Sequence, residues 1–356
     1  MKVCHVTSVH QPEDIRIFHK ECVSLSKAGH EVYLVERGDS YTKNGIRVIG
    51  IGAPPKGKLS RIRKTSKKAY QEALKINCDV YHLHDPELLP YAIKLKKRGK
   101  IVIFDSHEDI PAQIRDKEWI PSFLRAFISA LYVRYETKVS KRIDVVVAAT
   151  PYIASRFEGR AQSILEINNF PNLDDILFHE TPFENRDSIV CYVGGISVLR
   201  GEKTMIEAMK SVNGKLMLAG HHEKQCLGDQ IHYVGQLNRE EVNNLYGESV
   251  VGLCVLKAAH NYINSQPIKM YEYMAAGIPF ICSNFPGWER VANESKAGVC
   301  VDPEDVKQIS NAINQLLNER KKAQKMGENG RAYVEANCNW HNEEKKLCEL
   351  YASFLK

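Results

Sequence analysis

Short apolar runs alternate with amphipathic stretches along the chain, a pattern typical of the strands and crossover helices of a parallel sheet. In the first half, the apolar runs predict six strands, at residues 2–8, 31–35, 46–51, 79–84, 100–104 and 144–149. Apolar residues at three- and four-residue spacing predict a helix over 15–29 that ends at Gly29, and a longer, aromatic-rich helix over 119–142. The first half therefore predicts an α/β domain.

The second half repeats the same alternation. It predicts strands at 188–193, 215–219, 231–234, 250–255, 278–282 and 298–301, and helices over 201–211, 239–247, 268–276, 303–319 and 321–337. Between the halves, residues 168–187 contain prolines, Asn and Asp without any period, which indicates a linker.

These elements predict two domains of doubly wound α/β architecture. We expect a first domain over 1–167, the linker over 168–187, a second domain over 188–340 and a C-terminal helix over 341–356 that packs back on the first domain. Ligands of such sheets bind at the carboxyl ends of the strands, so the sequence favours a ligand site in a cleft between the domains.

The composition is that of a globular protein. Of the 356 residues, 44% are hydrophobic and 26% are charged, which excludes a disordered chain. No apolar run approaches the roughly 20 residues of a membrane span, and no secretory signal is visible at the N-terminus. The ten cysteines are scattered and include no CxxC pair, so we expect reduced thiols in a cytoplasmic protein.

The charge is divided unevenly between the halves. Residues 1–165 hold 29 Lys and Arg against 18 Asp and Glu, whereas the rest of the chain has an acidic excess. The basic surplus is concentrated in residues 56–75 and 94–100. Two interpretations stay open: ordinary solvated helix faces, or a face that meets an anionic membrane leaflet or a phosphate-bearing substrate.

The loop after the first strand of the second domain joins two glycines to a positive charge. It reads Gly194-Gly195-Ile-Ser-Val-Leu-Arg200-Gly201, and the two glycines let the backbone approach a ligand closely. The helix that follows presents free N–H groups and a partial positive charge, to which Arg200 adds a full charge. These features suit a diphosphate; an ordinary βα turn is the alternative.

A second loop, Asn264-Ser265-Gln266-Pro267, leads into a helix that begins near Ile268 and carries Lys269 and Glu272. A lysine near a helix N-terminus is unfavourable unless an anion lies between them. A carboxylate that faces a cleft needs hydrogen bonds, and a ribose diol supplies two. The pattern therefore indicates nucleotide recognition by one helix; a surface ion pair between Lys269 and Glu272 is the alternative.

Several segments resemble the GT-B glycosyltransferases of family 4. GGISVLRG, PIKMYEYMAAGIPFICSNFPGWERV and AGVCVDPED resemble the donor-binding domain. HQPEDIRIFHKECVSLSKAGHEV, YHLHDPELLPYAIKLKKRGKIVIFDSHED and EINNFPN resemble the acceptor-binding domain of bacterial members that build polysaccharides. The resemblance spans essentially the whole chain and implies two Rossmann-like domains that transfer a sugar from a nucleotide-sugar donor.

The resemblance implies how the donor is bound. Glu272 matches the second glutamate of the family's Glu-x7-Glu motif, which binds the nucleotide ribose. Asn264 stands where the first glutamate contacts a hydroxyl of the donor sugar, so it offers a hydrogen bond without a charge.

The family's Arg-x4-Lys phosphate pair is also altered. Gly195 stands in place of the arginine, and Arg200 matches the lysine. We infer that Lys269 restores the second positive charge. Gly235 and Gln236 lie where related enzymes hold the base.

In the first half, His107 follows a strand in the turn DSHE and matches the family histidine that contacts the donor sugar. His84 and Asp85 follow another strand, and we interpret them as acceptor contacts or as supports for the site. The spacing of His82, His84 and Asp85 also suggests a metal ion. Because no fourth ligand is marked and GT-B enzymes generally need none, we expect no metal and no cofactor.

The first loop lacks the Gly-Gly pair that is common in the family. Asp14 is a candidate cap for the helix that follows. Arg16 and Lys20 are expected on one face, towards either an acceptor phosphate or solvent. His10 is the candidate base should the enzyme invert configuration, as another GT-B branch does.

Family 4 is retaining, and the resemblance implies a front-face mechanism. In it, the leaving diphosphate, stabilised by Arg200 and Lys269, helps to deprotonate the acceptor hydroxyl. We expect a hexosyl or N-acetylhexosaminyl transferase that uses a UDP-sugar in preference to a GDP-sugar.

The sequence of the acceptor-binding half also suggests contact with a membrane surface. The basic run 56–75 and the aromatic stretch within 119–142 are typical of shallow docking on an anionic leaflet, where each Lys or Arg contributes about 1 kcal/mol. A saccharide linked to a lipid pyrophosphate, at the inner face of the cytoplasmic membrane, is then the expected acceptor. The alternative is that 119–142 packs as ordinary core.

Three other classes of protein compete with a glycosyltransferase as interpretations of the sequence. A nicotinamide-dependent dehydrogenase needs GxGxxG after a strand, and neither half has it. A sugar-nucleotide epimerase of GT-B fold and a basic polyanion-binding protein stay open. Recognition of nucleic acid is not expected, because residues 56–75 contain one aromatic residue, Tyr70.

Overall fold

The structure is a computed structural model that describes residues 1–53, 55, 58–117, 119–179, 181–221 and 229–355, without the side chains of 58–61. The chain divides into two compact units. Unit 1 comprises Met1–Asn169 together with His341–Lys356, and unit 2 comprises Phe170–Trp340. The final helix therefore belongs to unit 1, although unit 2 separates it from the rest of that unit in the chain.

Unit 1 is built on an eight-stranded sheet with the order β3-β4-β2-β1-β5-β6-β7-β8. All neighbouring strands are parallel except β3 and β4. The strands are β1 (Lys2–Val6), β2 (Glu31–Glu36), β3 (Tyr41–Lys43), β4 (Ile46–Gly50), β5 (Val80–Leu83), β6 (Ile101–Ser106), β7 (Val145–Ala148) and β8 (Ile164–Glu166).

Helices cover the sheet of unit 1. The first, α1, is π-helical over Ile15–Cys22 and α-helical over Val23–Lys27. The others are α2 (Lys58–Ile76), α3 (Leu89–Lys96), α4 (Ile110–Asp116), α5 (Ser122–Ser140), α6 (Pro151–Phe157) and, at the far end of the chain, α14 (Trp340–Ser353).

Unit 2 has a six-stranded parallel sheet with the order β11-β10-β9-β12-β13-β14. The strands are β9 (Ile189–Val193), β10 (Lys215–Ala219), β11 (Ile231–Gly235), β12 (Val251–Cys254), β13 (Phe280–Ser283) and β14 (Gly298–Val301). The helices are α7 (Glu202–Met209), α8 (Arg239–Glu248), α9 (His260–Ile263), α10 (Ile268–Ala275), α11 (Pro286–Ser295), α12 (Val306–Asn318) and α13 (Arg320–Ala336).

Both sheets confirm the predicted doubly wound α/β class. The strand order reverses between β1 and β5 in unit 1 and between β9 and β12 in unit 2. Strands that are buried on both faces read as continuous apolar runs, which is why the sequence located them. Ligands of such sheets bind outside the carboxyl ends of the strands at these reversal points.

Two predicted boundaries differ from the structure. The helix expected over 119–142 begins at Ser122, because Pro121 has an extended ψ of 133° and precedes the first helical turn. The segment expected to be a linker over 168–187 instead joins unit 2: Phe170, Ile176 and Phe183 are buried in the core of that unit. Its apolar residues anchor the backbone without helical or strand periodicity.

The C-terminal helix is fastened to unit 1 by polar contacts. The Tyr351 hydroxyl lies 2.9 Å from Nδ1 of His82, and a Glu343 carboxylate oxygen accepts a hydrogen bond from the Asn168 amide at 2.8 Å. Among the helices within the described ranges, none combines the length and the apolar character that a membrane span requires.

Candidate functional site

The loop after β9 places two glycines directly against two cationic side chains. A methyl group on Gly194 would lie 3.3 Å from Nζ of Lys269, and one on Gly195 would lie 2.7 Å from Nη1 of Arg200. Gly194 has a φ of 130°, which an L side chain rarely adopts. The positive φ therefore favours glycine at 194, whereas a side chain at 195 would have to displace the flexible end of Arg200. Arg200 and Lys269 both lie beside this loop, at the same end of the unit 2 sheet.

Lys269 is buried, and no counter-ion contacts its Nζ within the described residues. Its Nζ makes no hydrogen bond within the described residues and lies 3.7 Å from the centre of the Tyr192 ring. Burial lowers the pKa of Lys269 to about 8, and the charge of Arg200 acts in the same direction, while Cys254 and Glu272 oppose it. The alternative of a surface ion pair between Lys269 and Glu272 is wrong, because both side chains are buried and Glu272 has other partners.

The amides of this loop differ from expectation. The sequence predicts a helix over 201–211 that presents free N–H groups, and α7 does begin at Glu202, after a 3-10 turn at Val198–Arg200 that the sequence did not predict. The amides of Arg200 and Glu202 donate to the Ser197 carbonyl at 2.9 and 3.2 Å. The amides of Arg200 and Glu202 are therefore engaged within the loop and are not available to a ligand.

Glu272 lies one turn after Lys269 on α10 and is held by two side chains. Its Oε1 accepts a hydrogen bond from Nη2 of Arg239 at 3.0 Å, and its Oε2 accepts one from the Tyr246 hydroxyl at 3.1 Å. The side chain is 12% exposed, so these bonds orient a carboxylate at the edge of the core. Each carboxylate oxygen keeps capacity for a further donor, such as a ribose hydroxyl.

The loop before α10 is fixed by its own contacts. Asn264 is the residue that ends α9, and Pro267 precedes Ile268, the first residue of α10. The Ser265 hydroxyl donates to the Tyr262 carbonyl at 2.9 Å, and the Ser265 carbonyl accepts from Nε1 of Trp288 at 2.7 Å. Gln266, the next residue in this loop, is half-buried.

Gly235 and Gln236 lie at the carboxyl end of the edge strand β11. The Gly235 carbonyl accepts a hydrogen bond from the Gly220 amide at 2.7 Å, and the Gly194 amide donates to the Ala219 carbonyl at 2.9 Å. The ends of β9, β10 and β11 are therefore adjacent, and the structure brings the predicted donor residues of unit 2 to one edge of one sheet.

In unit 1, His107 is oriented by a buried carboxylate. Its Nε2 lies 3.1 Å from Oδ2 of Asp105 and 3.2 Å from Nδ1 of His84. Burial alone would raise the pKa of Asp105, but Arg16 and His107 hold it well below its usual range. Burial lowers the pKa of His84 to about 4, so its imidazole is neutral at physiological pH. His84 supports His107 and is not exposed to an acceptor.

The expectation that Arg16 and Lys20 face an acceptor phosphate or solvent is wrong. Arg16 is buried, donates from Nε and Nη2 to the two oxygens of Asp105 at 3.0 Å each, and lies 3.1 Å from Oε1 of Glu21. Lys20 is also buried and donates to Asn169 at 2.6 Å. The π-helical turn of α1 turns these side chains towards the interior, which a pattern based on 3.6 residues per turn does not predict.

His10 of the first loop forms a charged pair with Asp85, which follows β5. Nδ1 of His10 lies 3.0 Å from Oδ1 of Asp85, and Asp85 also accepts hydrogen bonds from Ser8. Burial opposes both shifts, but their mutual attraction raises the pKa of His10 and, with the Ser8 amide, lowers that of Asp85. Asp14 caps α1, as predicted, by accepting from the Arg16 and Ile17 amides at 2.9 and 3.1 Å.

Sequence reasoning missed several residues that build these sites. Arg239 and Tyr246, which hold Glu272, lie on α8, and Tyr192, which underlies Lys269, is inside β9. Asp105 stands in the quoted DSHE turn, and its place at a strand end was the available signal. A tyrosine within a buried strand carries no such signal.

Comparison with known proteins accounts for both units. Residues 16–165 match the sequence family described as Glycosyltransferase Family 4, and residues 174–333 match Glycosyl transferases group 1. Spore coat protein SA of Bacillus subtilis is 27% identical over 187 residues, which are 46% of this chain and 48% of that protein.

A second curated relative is the GDP-mannose-dependent alpha-(1-6)-phosphatidylinositol monomannoside mannosyltransferase of Mycobacterium tuberculosis. It is 23% identical over 244 residues, which are 60% of this chain and 63% of that protein. The chain thus spans about half to two-thirds of the length of these relatives.

Two solved structures share the fold over the whole chain. Sucrose-phosphate synthase from Thermosynechococcus elongatus has a TM-score of 0.80 at 18% identity, covering 100% of this chain and 99% of that one. Anabaena HepE in complex with UDP and glucose has a TM-score of 0.75 at 14% identity, covering 99% of this chain and 100% of that one. With both units matched by family and by fold, the chain belongs to the GT-B glycosyltransferases of family 4.

Proposed function

We propose that this protein transfers a sugar from a nucleotide diphosphate donor to a saccharide acceptor in the biosynthesis of a polysaccharide or glycolipid. The observation that carries the proposal is Lys269, a buried cation with no partner ion within the described residues, held against Gly194 and beside Arg200. A buried charge is costly unless a ligand pairs with it. A pyrophosphate fits two adjacent cations and a glycine backbone.

We further propose that the reaction retains configuration at the sugar. The bond from the anomeric carbon to the diphosphate breaks, and the acceptor oxygen bonds to the same face. The acceptor proton passes to the leaving phosphate oxygen. Arg200 and Lys269 stabilise the negative charge that develops there, so electrostatics and positioning supply most of the catalysis.

For the donor, Glu272 is proposed to bind the ribose, Gly235 and Gln236 the base, and Asn264 with Ser265–Ile268 the sugar and phosphates. We favour a UDP-sugar over a GDP-sugar. The UDP complex of the similar HepE supports this choice, whereas the mycobacterial relative is named for GDP-mannose. His107 is proposed to contact the donor sugar.

A panel of nucleotides in a thermal-shift assay tests the donor proposal. UDP or UDP-sugars at 100 times their dissociation constant should stabilise the protein by about 2.7 kcal/mol. Lys269→Met should abolish the shift, and Lys210→Met, on the exposed end of α7, should preserve it. Failure of every nucleotide to shift the unfolding temperature would contradict the proposal. Isomerisation of a UDP-sugar without acceptor would favour an epimerase instead.

We propose that the acceptor is linked to a lipid and that α5 meets an anionic membrane surface. Apolar side chains at i,i+4 spacing on α5 face solvent: Phe123 is 80% and Phe127 is 60% exposed, followed by Leu131 and Tyr135. Trp119, just before the helix, is exposed as well. An aromatic stripe beside basic residues is typical of interfacial helices. The alternative that 119–142 packs wholly as core does not agree with this exposure.

The basic run 56–75 is described only in part. Lys56 lies outside the described residues, and the side chains of Lys58 and Arg61 are not described. Arg63 and Lys64 are exposed on α2, which is compatible with the same surface.

Liposome flotation tests the membrane proposal. Wild-type protein should float with vesicles rich in phosphatidylglycerol and stay behind with neutral ones. Phe123→Ser with Phe127→Ser should reduce flotation at least tenfold, whereas Leu177→Ser, which alters an exposed side chain of unit 2, should not. Equal flotation with neutral and anionic vesicles would refute it.

We also propose that the transfer step itself needs no metal. Addition of EDTA to the folded enzyme should leave turnover unchanged, and a loss of turnover that Mg²⁺ or Mn²⁺ restores would contradict this.

A further inference from the structure

Unit 1 encloses a group of side chains that the transfer reaction does not use. His5 lies on β1, and His82 lies on the adjacent strand β5. His84 follows directly after Leu83, the last residue of β5, and Glu21 lies on the π-helical part of α1. His5 and His82 are aligned partners in the parallel ladder. All four side chains are fully buried, and each offers one ligand atom within 4.8 Å of the other three.

The separations of three of these atoms match a metal centre. His5 Nδ1 lies 2.9 Å from His84 Nε2, and Glu21 Oε2 lies 3.7 and 3.8 Å from these nitrogens. The circle through the corners of a triangle with these sides has a radius of about 2.0 Å, so an ion can approach all three atoms to about that distance or slightly more, close to the 2.0–2.2 Å at which Zn²⁺ binds imidazole nitrogen and carboxylate oxygen. A hydrogen bond between the two histidines accounts for the shortest side, and Arg16, 3.1 Å from Oε1 of Glu21, leaves Oε2 as the oxygen that faces them.

Two of the three imidazoles, those of His82 and His84, have contacts typical of oriented ligands, whereas Nε2 of His5 makes no hydrogen bond within the described residues. Nε2 of His82 makes no hydrogen bond within the described ranges, while its Nδ1 lies 2.9 Å from the Tyr351 hydroxyl. Oε2 of Glu21 is likewise without a hydrogen bond there, and Oε1 lies beside Arg16. Metal-bound imidazoles usually bond through their second nitrogen to a neighbouring group in this way.

We propose that His5, Glu21, His82 and His84 bind one structural Zn²⁺ ion inside unit 1. Three imidazoles and a carboxylate form a four-coordinate set that suits zinc among divalent cations. With four protein ligands and no exposure to solvent, the ion has no open position for substrate. It fastens β1, β5 and α1 together, and it orients His84, which contacts His107. The proposal does not depend on the donor or the acceptor.

Because the ligands are fully buried, the ion must enter as the chain folds. The test therefore unfolds the full-length protein in guanidinium with EDTA and refolds it with Zn²⁺ or with EDTA. After exhaustive dialysis, elemental analysis by mass spectrometry should find about one zinc per chain in the first sample and less than a tenth of that in the second. Refolding with Co²⁺ should give the visible absorption of a tetrahedral site.

Variants separate metal binding from general damage to the fold. Glu21→Gln should lower the zinc content at least tenfold, and His82→Asn should abolish the cobalt spectrum. His19→Asn, which changes an exposed histidine of the same helix, should leave both unchanged. Circular dichroism and thermal unfolding show whether each variant is folded.

The proposal is overturned if protein refolded with Zn²⁺ holds no metal, shows no cobalt spectrum and unfolds at the same temperature as protein refolded with EDTA. The same holds if a folded Glu21→Gln variant retains the full zinc content. The cluster would then be a hydrogen-bonded polar network only.

Discussion

The two units bury charge in opposite ways. In unit 1, Arg16 lies against Asp105 and Glu21, and His10 lies against Asp85, so the buried charges of Arg16 and Asp85 each face an opposite one. In unit 2, Lys269 is as deeply buried but faces an aromatic ring, a glycine backbone and another cation. The paired charges of unit 1 are satisfied within the fold, whereas Lys269 has no opposite charge against it among the described residues, as the proposed diphosphate site requires.

The difference yields predictions of opposite sign for variants of the two units. Removal of a paired charge should destabilise the protein without a ligand, since its partner is left buried alone. Removal of the unpaired charge should not destabilise it, but should weaken ligand binding.

The largest effect is expected for Arg16→Met. Asp105 and Glu21 would lose their guanidinium, which should lower the free energy of unfolding by about 3–5 kcal/mol. Urea denaturation of wild type and variant measures this difference in the free energy of unfolding. The control is Arg47→Met, which removes the exposed ion pair to Glu31 and should cost less than about 1 kcal/mol. Equal losses in the two variants would remove the distinction between the buried cluster and a surface pair.

The second prediction concerns Lys269 and pH. The folded state lowers the pKa of Lys269 from 10.5 to about 8, so between these values the unfolded chain binds more protons. Stability therefore rises with pH across this window, by up to about 3 kcal/mol. Lys269→Met should be at least as stable as wild type at pH 7 and should lack this rise. The measurement is the difference between the unfolding curves of wild type and variant from pH 7 to 10.5.

Saturating UDP sharpens the same contrast. A bound diphosphate favours charged Lys269, so the wild-type gain with pH should shrink in its presence. A rise that persists unchanged with UDP bound would show that the nucleotide does not pair with this lysine.

The third prediction concerns Glu272. Glu272→Gln keeps the shape but weakens the hydrogen bonds to a ribose, and it should lower nucleotide affinity about tenfold. Isothermal titration calorimetry with UDP and GDP measures the change. Glu207→Gln, an exposed substitution on α7, should have no effect. Unchanged affinity in Glu272→Gln would remove this residue from the donor site.

The smallest effect is expected for the pair of His10 and Asp85. Because Asp85 raises the pKa of His10, the pair stabilises the folded state fully below the unfolded pKa of histidine, near 6.5, and this contribution is lost as pH rises through the folded pKa. His10→Asn should cost about 1 kcal/mol at pH 5.5 and progressively less at higher pH. A deficit that does not change with pH would indicate that the charge of His10 does not contribute.

The sequence predicted the fold class and most strands, because strands buried on both faces are continuous apolar runs. It missed β3 and β8, each of three residues, which are too short to form a pattern. It also predicted that Lys269 and Glu272 share one helix, which α10 confirms, because that placement follows from local spacing.

Other features depend on contacts between distant segments. The π-helical turn of α1, which directs Arg16 inward, and the assembly of His5 with Glu21 and His84 require neighbours from separate elements. Likewise, Arg239 meets Glu272 only when α8 packs beside α10. The periodic pattern of a single sequence predicts individual helices and strands, but it does not predict side-chain contacts between separate elements.

The position of α14 has a consequence for synthesis on the ribosome. Unit 1 includes α14. The N-terminal segment of unit 1 therefore emerges from the ribosome long before α14, and all of unit 2 is translated in between. Until Tyr351 arrives, the hydroxyl that meets His82 is missing. Unit 2 is continuous in the chain and can fold as soon as it has emerged, so the half translated second is free to mature first.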